Sequence, residues 1–368
     1  VNDGTGEFTL LLNEELEGLK SASADFADID NDNDMDLIMM GLNSSDSPCT
    51  NLYVNDGSGN YTLSDQTQFV DLKEGCVRFE DIDGDLDQDI IITGNTSADD
   101  PVTTVYVNDG TGLFSEDLSF QFIDLGRSRF EFGDIDGDLD NDLIISGSID
   151  GNANHNYTCK MYKNNGNGNF IEAENSSVVP VFGGDIEFTD IDADGDMDFI
   201  ISGSNYQGRI SFLYMNNGLG EFNLVTGSPF TGVRRCSIAF SDIDSDDDQD
   251  LLVTGESYGD PFICDLYEND GNGNFAILST PELTGWRNSA VAFEDVDSDN
   301  DLDLMISGEY DLNFKTSLYL NDGDGHFELS ASSDFTGVSR GTINFADIDG
   351  DSDKDVLITG SYGCFTII

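Results

Sequence analysis

Seven short stretches of this chain carry aspartate at every second position. The first, DIDNDNDMD, supplies Asp28, Asp30, Asp32, Asp34 and Asp36. The others supply Asp81, Asp83, Asp85, Asp87 and Asp89; Asp134, Asp136, Asp138, Asp140 and Asp142; Asp190, Asp192, Asp194, Asp196 and Asp198; Asp242, Asp244, Asp246, Asp248 and Asp250; Asp295, Asp297, Asp299, Asp301 and Asp303; and Asp347, Asp349, Asp351, Asp353 and Asp355. Five like charges in nine residues repel one another unless something positive sits among them. Carboxylates at positions 1, 3, 5 and 9, with the backbone carbonyl of position 7, can wrap one hard cation. Ca²⁺ takes about six to eight oxygens and prefers this donor set, whereas Mg²⁺ rarely receives so protein-rich a cage. Zinc would call for His or Cys, and the loops have neither. One such loop would read equally as a solvated acidic turn; seven in register predict up to seven Ca²⁺. Those ions carry 14 charges and would take the formal net charge from −60 to −46.

The elements that must position these loops follow from their period. They begin at 28, 81, 134, 190, 242, 295 and 347, a spacing of 52 to 56 residues. Such a period signals an array or a propeller. A second motif alternates with the first, as in LYVNDGSGNY from Leu52 to Tyr61. Asn-Asp-Gly or Asn-Asn-Gly followed by a second Gly is a hairpin turn between short strands. An alternating run precedes each acid loop and ends in Phe26, Phe79, Phe132, Phe188, Phe240, Phe293 or Phe345; an apolar run and a Gly follow it. Four strands per repeat predict an all-β fold, a seven-bladed β-propeller of four-stranded antiparallel blades occupying residues 1–368. The chain opens on VNDGTGEF, the second half of the hairpin motif, and ends on the first half. The N-terminal strand is therefore expected to close the last blade, which removes an open sheet edge.

Composition narrows the function. The chain holds 14 Lys+Arg against 74 Asp+Glu, yet 38% of it is hydrophobic, with 25 Phe. That is a globular protein and not an acidic tail. Nucleic acid and anionic membrane, which demand basic patches, are excluded as default partners. No apolar run reaches transmembrane length, so membrane insertion is not expected. The absence of a charged and apolar leader suggests a mature or excised segment. The six cysteines have no CxxC spacing, which leaves disulfides or buried thiols; Cys49 with Cys76, on neighbouring repeats, is the favoured pair.

Over its whole length the sequence resembles the FG-GAP/VCBS repeat family, the propeller repeats of integrin α-chains and of many secreted bacterial proteins. The family pattern D-x-[DN]-x-D-G-x-x-D falls on Asp28, Asp30, Asp32 and Asp36, with the carbonyl of Asp34, and likewise in each repeat. The resemblance implies one Ca²⁺ per loop, between the first and second strands of a blade, on the bottom face. It also implies an extracellular or cell-surface location. The family glycine at position 6 is here Asn33, Leu86, Leu139, Gly195, Asp247, Asn300 and Ser352. Leu tolerates a left-handed turn only at a cost, so the second and third loops are expected to bend differently or bind more weakly. Seven self-sufficient near-copies suit a structural staple better than a catalytic ion, which needs open coordination positions.

Recognition is expected elsewhere. His155 and His326 have no nucleophile motif beside them and read as surface residues. Nine of the 14 basic residues precede an acid loop by ten residues or fewer: Lys20, Lys73, Arg78, Arg127, Arg129, Arg234, Arg235, Arg287 and Arg340. They could relieve the acidity of the chain, but their clustering at blade crossings on the top face favours a site. The loops after the second strands carry Tyr206, Tyr258, Tyr310 and Tyr362. The crossings that follow carry Arg234 and Arg235; Trp286, Arg287 and Asn288; Ser339 and Arg340; and, after closure, Lys20 and Ser21. Aromatic faces for sugar C–H surfaces beside charged and amide groups for hydroxyls make sugar-site chemistry. The same tyrosines could instead pack over strand ends. The arrangement resembles the integrin-like mushroom lectins, which implies N-acetylglucosamine-type ligands between blades. The expectation is a multivalent, non-enzymatic lectin for glycans or glycoproteins. The alternatives are an adhesion module gripping a protein through the same face, and a polysaccharide lyase.

Overall fold

The computed structural model describes residues 1–368 except 12, 14, 153–155, 174–177, 260–261, 281–282, 311–312, 332–334, 362–365 and 368. Tyr362, Cys364 and His155 lie outside the described residues. Among the described residues every regular element is a β-strand, and no helix is long and apolar enough to cross a membrane. The strands form antiparallel sheets in sequence order. Four stand alone with four strands each, two more are joined through the pair Ile210–Val233, and the seventh shows three strands. These are seven blades.

Lys20–Ala27, Lys73–Glu80, Gly126–Gly133, Phe182–Thr189, Val233–Ser241, Arg287–Glu294 and Ile343–Ala346 begin the sheets and lie next to one another around the axis. Each is followed by an acid loop and then by a second strand buried along almost its whole length, such as Asp89–Asn95. Burial on both faces explains the unbroken apolar runs, since neighbouring blades stack on both sides of the sheet. The packing separates into seven apolar cores, each shared by two adjacent blades. One of them joins Leu37, Met39 and Tyr53 of the first blade to Ala346, Ile348 and Leu357 of the seventh, so the ring is closed.

A ring of side-chain hydrogen bonds repeats this closure. The Asn of each hairpin turn donates from Nδ2 to a carbonyl of the preceding blade's acid loop. Asn108 reaches Ile29, Asn164 Ile82, Asn216 Ile135, Asn269 Ile191 and Asn321 Ile243, at 2.8 to 3.2 Å. Asn55 reaches Ile348 at 2.9 Å and Asn2 reaches Val296 at 2.8 Å. Asn2 thus serves the seventh blade as Asn55 serves the first. The N-terminal segment closes that blade as expected, through its turn; the described residues before Lys20 carry no assigned strand.

The tyrosines of the hairpin motif prove to be fasteners. The hydroxyls of Tyr53, Tyr106, Tyr162, Tyr214 and Tyr267 accept the backbone N–H of Glu17, Val70, Ile123, Val179 and Thr231, on the chain entering the same blade. The expected Cys49–Cys76 disulfide is not formed. Cys49 lies in a third strand beside Glu17, and Cys76 in an innermost strand beside Ser23, so the two sit at different radii of the ring. Cys159, Cys236 and Cys264 are free thiols as well.

Candidate functional site

The seven acid loops share one geometry. The first Asp accepts the N–H of position 6 on Oδ2 in every loop, from Asn33 to Asp28, Leu86 to Asp81, Leu139 to Asp134, and so on to Ser352 with Asp347, at 2.9 to 3.1 Å. The fifth accepts the N–H of position 7, as Asp85 does from Asp87 at 3.0 Å. The ninth is buried and spends both oxygens. Asp89 accepts Ile82 N at 3.1 Å and the hairpin Asn108 N at 2.8 Å, and the other loops repeat this. Burial pushes the carboxyls of Asp36, Asp89, Asp142, Asp198, Asp250 and Asp303 up to about 7 against those hydrogen bonds. The seventh packs on the first Gly of the hairpin. A methyl on Gly110, whose φ is +76°, would stand 2.5 Å from Asp87.

Position 3 is different. Asp30, Asp83, Asp136, Asp192, Asp244, Asp297 and Asp349 each hold Oδ1 buried with no hydrogen-bond partner. A buried, unpaired carboxylate oxygen is costly, and here the same one recurs in all seven loops. In the first, second, fourth and fifth loops the carboxylates of positions 1, 3 and 5 bring one oxygen each within 4.8 Å of the others; in the third the trio is Asp134, Asp136 and Asp142. These oxygens could hold a hard cation, and the free lone pairs of the ninth Asp remain available to it.

The expectation for Leu86 and Leu139 is corrected in part. Their φ values of 75° and 73° match the 69° to 91° of the other five, so both loops bend like the rest. The peptide N–H bonds to the first Asp impose the turn on any residue. The cost appears as strain and exposure: Leu139 is 90% exposed. Leu139→Gly should therefore stabilise the protein by about 1 kcal/mol in denaturant titration, because no burial is lost. What distinguishes the third loop is Lys163, whose Nζ lies 2.9 Å from Asp136 Oδ2 and already places a positive charge there.

The opposite ends of the innermost strands, about 25 Å away at 3.3 Å per residue, form the mouth of the central channel. Here one residue at the start of the innermost segment is left-handed in every blade: Ser21, Glu74, Arg127, Gly183, Arg235, Asn288 and Arg340, with φ from 48° to 57°; in the seventh blade it precedes the strand Ile343–Ala346. Register shifts follow at this point in the first six blades. Such a bulge re-aims side chains. The left-handed residue faces the axis, where a cavity of ≈ 460 Å³ is lined by all seven blades. The residue before it turns back to its own blade. Lys20 pairs with Asp46, Lys73 with Asp99, Arg234 with Glu256 and Arg287 with Glu309, all at 2.7 to 2.8 Å.

The expected pairings of tyrosines with crossings are redrawn. Tyr258 reaches back to the preceding blade, where the Arg209 guanidinium carbon lies 4.5 Å above its ring. Arg209 and Arg234 share Glu256 at 2.7 Å, and Arg235 approaches the same carboxylate at 3.6 Å. Burial opposes ionisation of Glu256, but the Arg234 hydrogen bond and the three guanidinium charges hold its carboxyl below the usual range. Tyr310 likewise meets Phe262 of the preceding blade at 5.0 Å and Trp286 of its own at 6.1 Å, while Arg287 lies 5.5 Å from Phe262. Trp286 is buried and its indole N–H has no partner. Tyr206 is exposed. Ser339 is buried and pairs with Ser361. Arg209, Phe262, Glu256 and Glu309 were missed by sequence reasoning; the signal was their position on either side of the variable loop, one strand from a known tyrosine.

Deeper in the channel Asp25, Glu131, Asp185 and Glu187 face Arg78 and Arg129. Burial pushes Glu131 up to about 7, and burial plus the charges of Glu131 and Asp185 raise Glu187 further above its ordinary value, against Arg78. A carboxyl raised on folding contributes full stability below its unfolded pKa near 4.5 and loses it as pH rises through the folded value. Glu187→Gln should therefore raise the melting temperature at pH 8 and change it little at pH 4.

Residues 190–253 and 242–306 each match the model of the FG-GAP-like repeat. No curated protein matches the sequence. Among solved structures, AofleA from Arthrobotrys oligospora is similar at 10% identity over 85% of this chain and 86% of that chain, with a TM-score of 0.50. A mutant of Aleuria aurantia lectin in complex with alpha-methyl-L-fucoside is similar at 11% identity over 86% and 96%, with a TM-score of 0.47. Trypanosoma rangeli sialidase is similar at 13% identity over 85% and 54%, with a TM-score of 0.40. Two overlapping repeat matches, seven copies of one loop geometry and the closed ring of sheets agree: the chain carries FG-GAP-like repeats folded as a β-propeller.

Proposed function

We propose that this protein is a calcium-stabilised, non-enzymatic carbohydrate-binding propeller, working outside the cell or at its surface. It grips glycans or glycoproteins through the face opposite the acid loops. One observation carries the reading. Tyr53, Tyr61, Tyr106, Tyr162, Tyr214, Tyr267 and Tyr319 are all buried, whereas Tyr206, Tyr258 and Tyr310 are 69%, 71% and 46% exposed at the top of blades four to six. Exposed rings set beside Arg209, Arg287 and Glu309 offer a flat apolar face with forked donors and acceptors at its edge, the needs of a pyranose. Up to three such places on one ring would give avidity on a glycan surface. The calcium part rests on the seven orphaned position-3 oxygens. When bound, the ion would supply the positive charge that gathers each loop. The protein's own residues shape the turn and present the oxygens.

A glycan array run with and without EDTA tests the function, with N-acetylglucosamine-type sugars as first candidates. Tyr258→Ala and Tyr310→Ala should each weaken binding about tenfold, the worth of one stacked contact. Silence across the array with capture of a protein ligand would favour the adhesion reading. Release of unsaturated ends from a polysaccharide would favour a lyase.

A further inference from the structure

The channel mouth is positively charged in a protein whose net charge is −60. Arg127, Arg235 and Arg340 stand at left-handed positions that face the axis, Arg129 and Arg234 line the same cavity, and Arg287 directly precedes its lining residue Asn288. Four carboxylates answer these six guanidiniums. Glu74 lies 3.2 Å from Arg127, Asp185 3.8 Å from Arg129, Glu256 serves Arg234 and Arg235, and Glu309 serves Arg287. Arg340 has no acid within ion-pair distance among the described residues and is exposed to the mouth. The Nε atoms of Arg127, Arg234 and Arg287 are buried without partners. Three backbones also lock here: Ala22 N donates to Arg340 O and Arg340 N to Asn288 O, so the mouth is held rigidly. Gathering cations that leave donors unused is costly unless something anionic is received.

We propose that the axial mouth is a binding site for one oxyanion, a carboxylate or sulfate borne by an acidic saccharide. This rests on the carbohydrate reading for the saccharide and on the mouth alone for the anion. The guanidinium forks of Arg235 and Arg340 match planar or tetrahedral oxyanions in bidentate fashion. The site differs from the tyrosine places in number, because the axis admits one ligand per ring while those recur from blade to blade. The ≈ 460 Å³ cavity suits a small sugar unit. The negative outer surface opposes non-specific polyanion binding, so selectivity comes from entry into the mouth.

The test is isothermal titration of the full chain, in calcium and at low ionic strength, with inorganic sulfate, with glucuronate and with a sulfated disaccharide and its desulfated counterpart. One site per chain is expected, with the sulfated disaccharide binding more tightly than sulfate and than the desulfated sugar. Arg340→Gln, which breaks no ion pair, should weaken binding at least tenfold, and Arg235→Gln with Arg340→Gln should abolish it. No heat with any anion, or full binding by the double variant with an unaltered melting temperature, overturns the site. Equal affinity for sulfate and the sulfated disaccharide overturns the saccharide assignment alone. Failure of the neutral-glycan array at Tyr258 and Tyr310 would leave the sulfate titration standing, so the two readings fail separately.

Discussion

Chelation with EDTA should lower the melting temperature of this protein by about 10 °C or more, and Ca²⁺ should restore it where equimolar Mg²⁺ should not. The size follows from linkage. A ligand held at a hundred times its dissociation constant stabilises the folded state by about 2.7 kcal/mol per site, and a few such sites move a transition by this much. The direction follows from the loops. Each sets five or six carboxylates side by side, and each leaves a position-3 oxygen buried without a donor. Differential scanning fluorimetry on the intact chain measures it. An unchanged midpoint after exhaustive chelation would remove calcium from the account of the fold. The third loop, with Lys163 at Asp136, should refill last in a calcium titration.

The second large effect separates loop residues that look alike in sequence. Asp89→Ala should cost about 3–5 kcal/mol whether or not calcium is present. It strips acceptors from two buried N–H groups, of Ile82 and Asn108, and each buried donor left unpaired costs about 1–3 kcal/mol. It also frees Asn108, which bolts the second blade to Ile29 of the first at 2.8 Å. Asp83→Asn is the contrast. Its Oδ1 has no partner in the protein, so its loss should lower the melting temperature only in calcium. In EDTA the variant should match or exceed the parent, since one repelling charge is gone. Equal losses for both variants under both conditions would mean that the first and last halves of the loop share one structural role.

Much of the fold is legible in the sequence because its causes are local. Aspartates at alternate positions, a turn dipeptide and apolar runs of strand length recur within each repeat, and a period repeated seven times fixes the blade count. Even the ring-closing Asn2 is visible as half of a motif. Leu86 and Leu139 show the limit of single-residue propensity: the first Asp's grip on the position-6 N–H outweighs a penalty of about 1 kcal/mol. The disulfide expectation erred for the opposite reason. Cys49 and Cys76 are neighbours in repeat order, but the radial offset between third and innermost strands is a property of the ring.

The top face was legible as a composition and illegible as a geometry. Sequence alone established that arginines cluster at the crossings and that tyrosines follow the second strands. It could not say that Tyr258 turns back onto Arg209, nor that consecutive residues such as Lys73 and Glu74 part company, one to Asp99 and the other to Arg127. That division is made by a bulge at one register position, which turns one side chain into its own blade and the next towards an axis shared by all seven. The loops are determined by residues two positions apart, whereas the mouth exists only because chain segments some fifty residues apart converge on it.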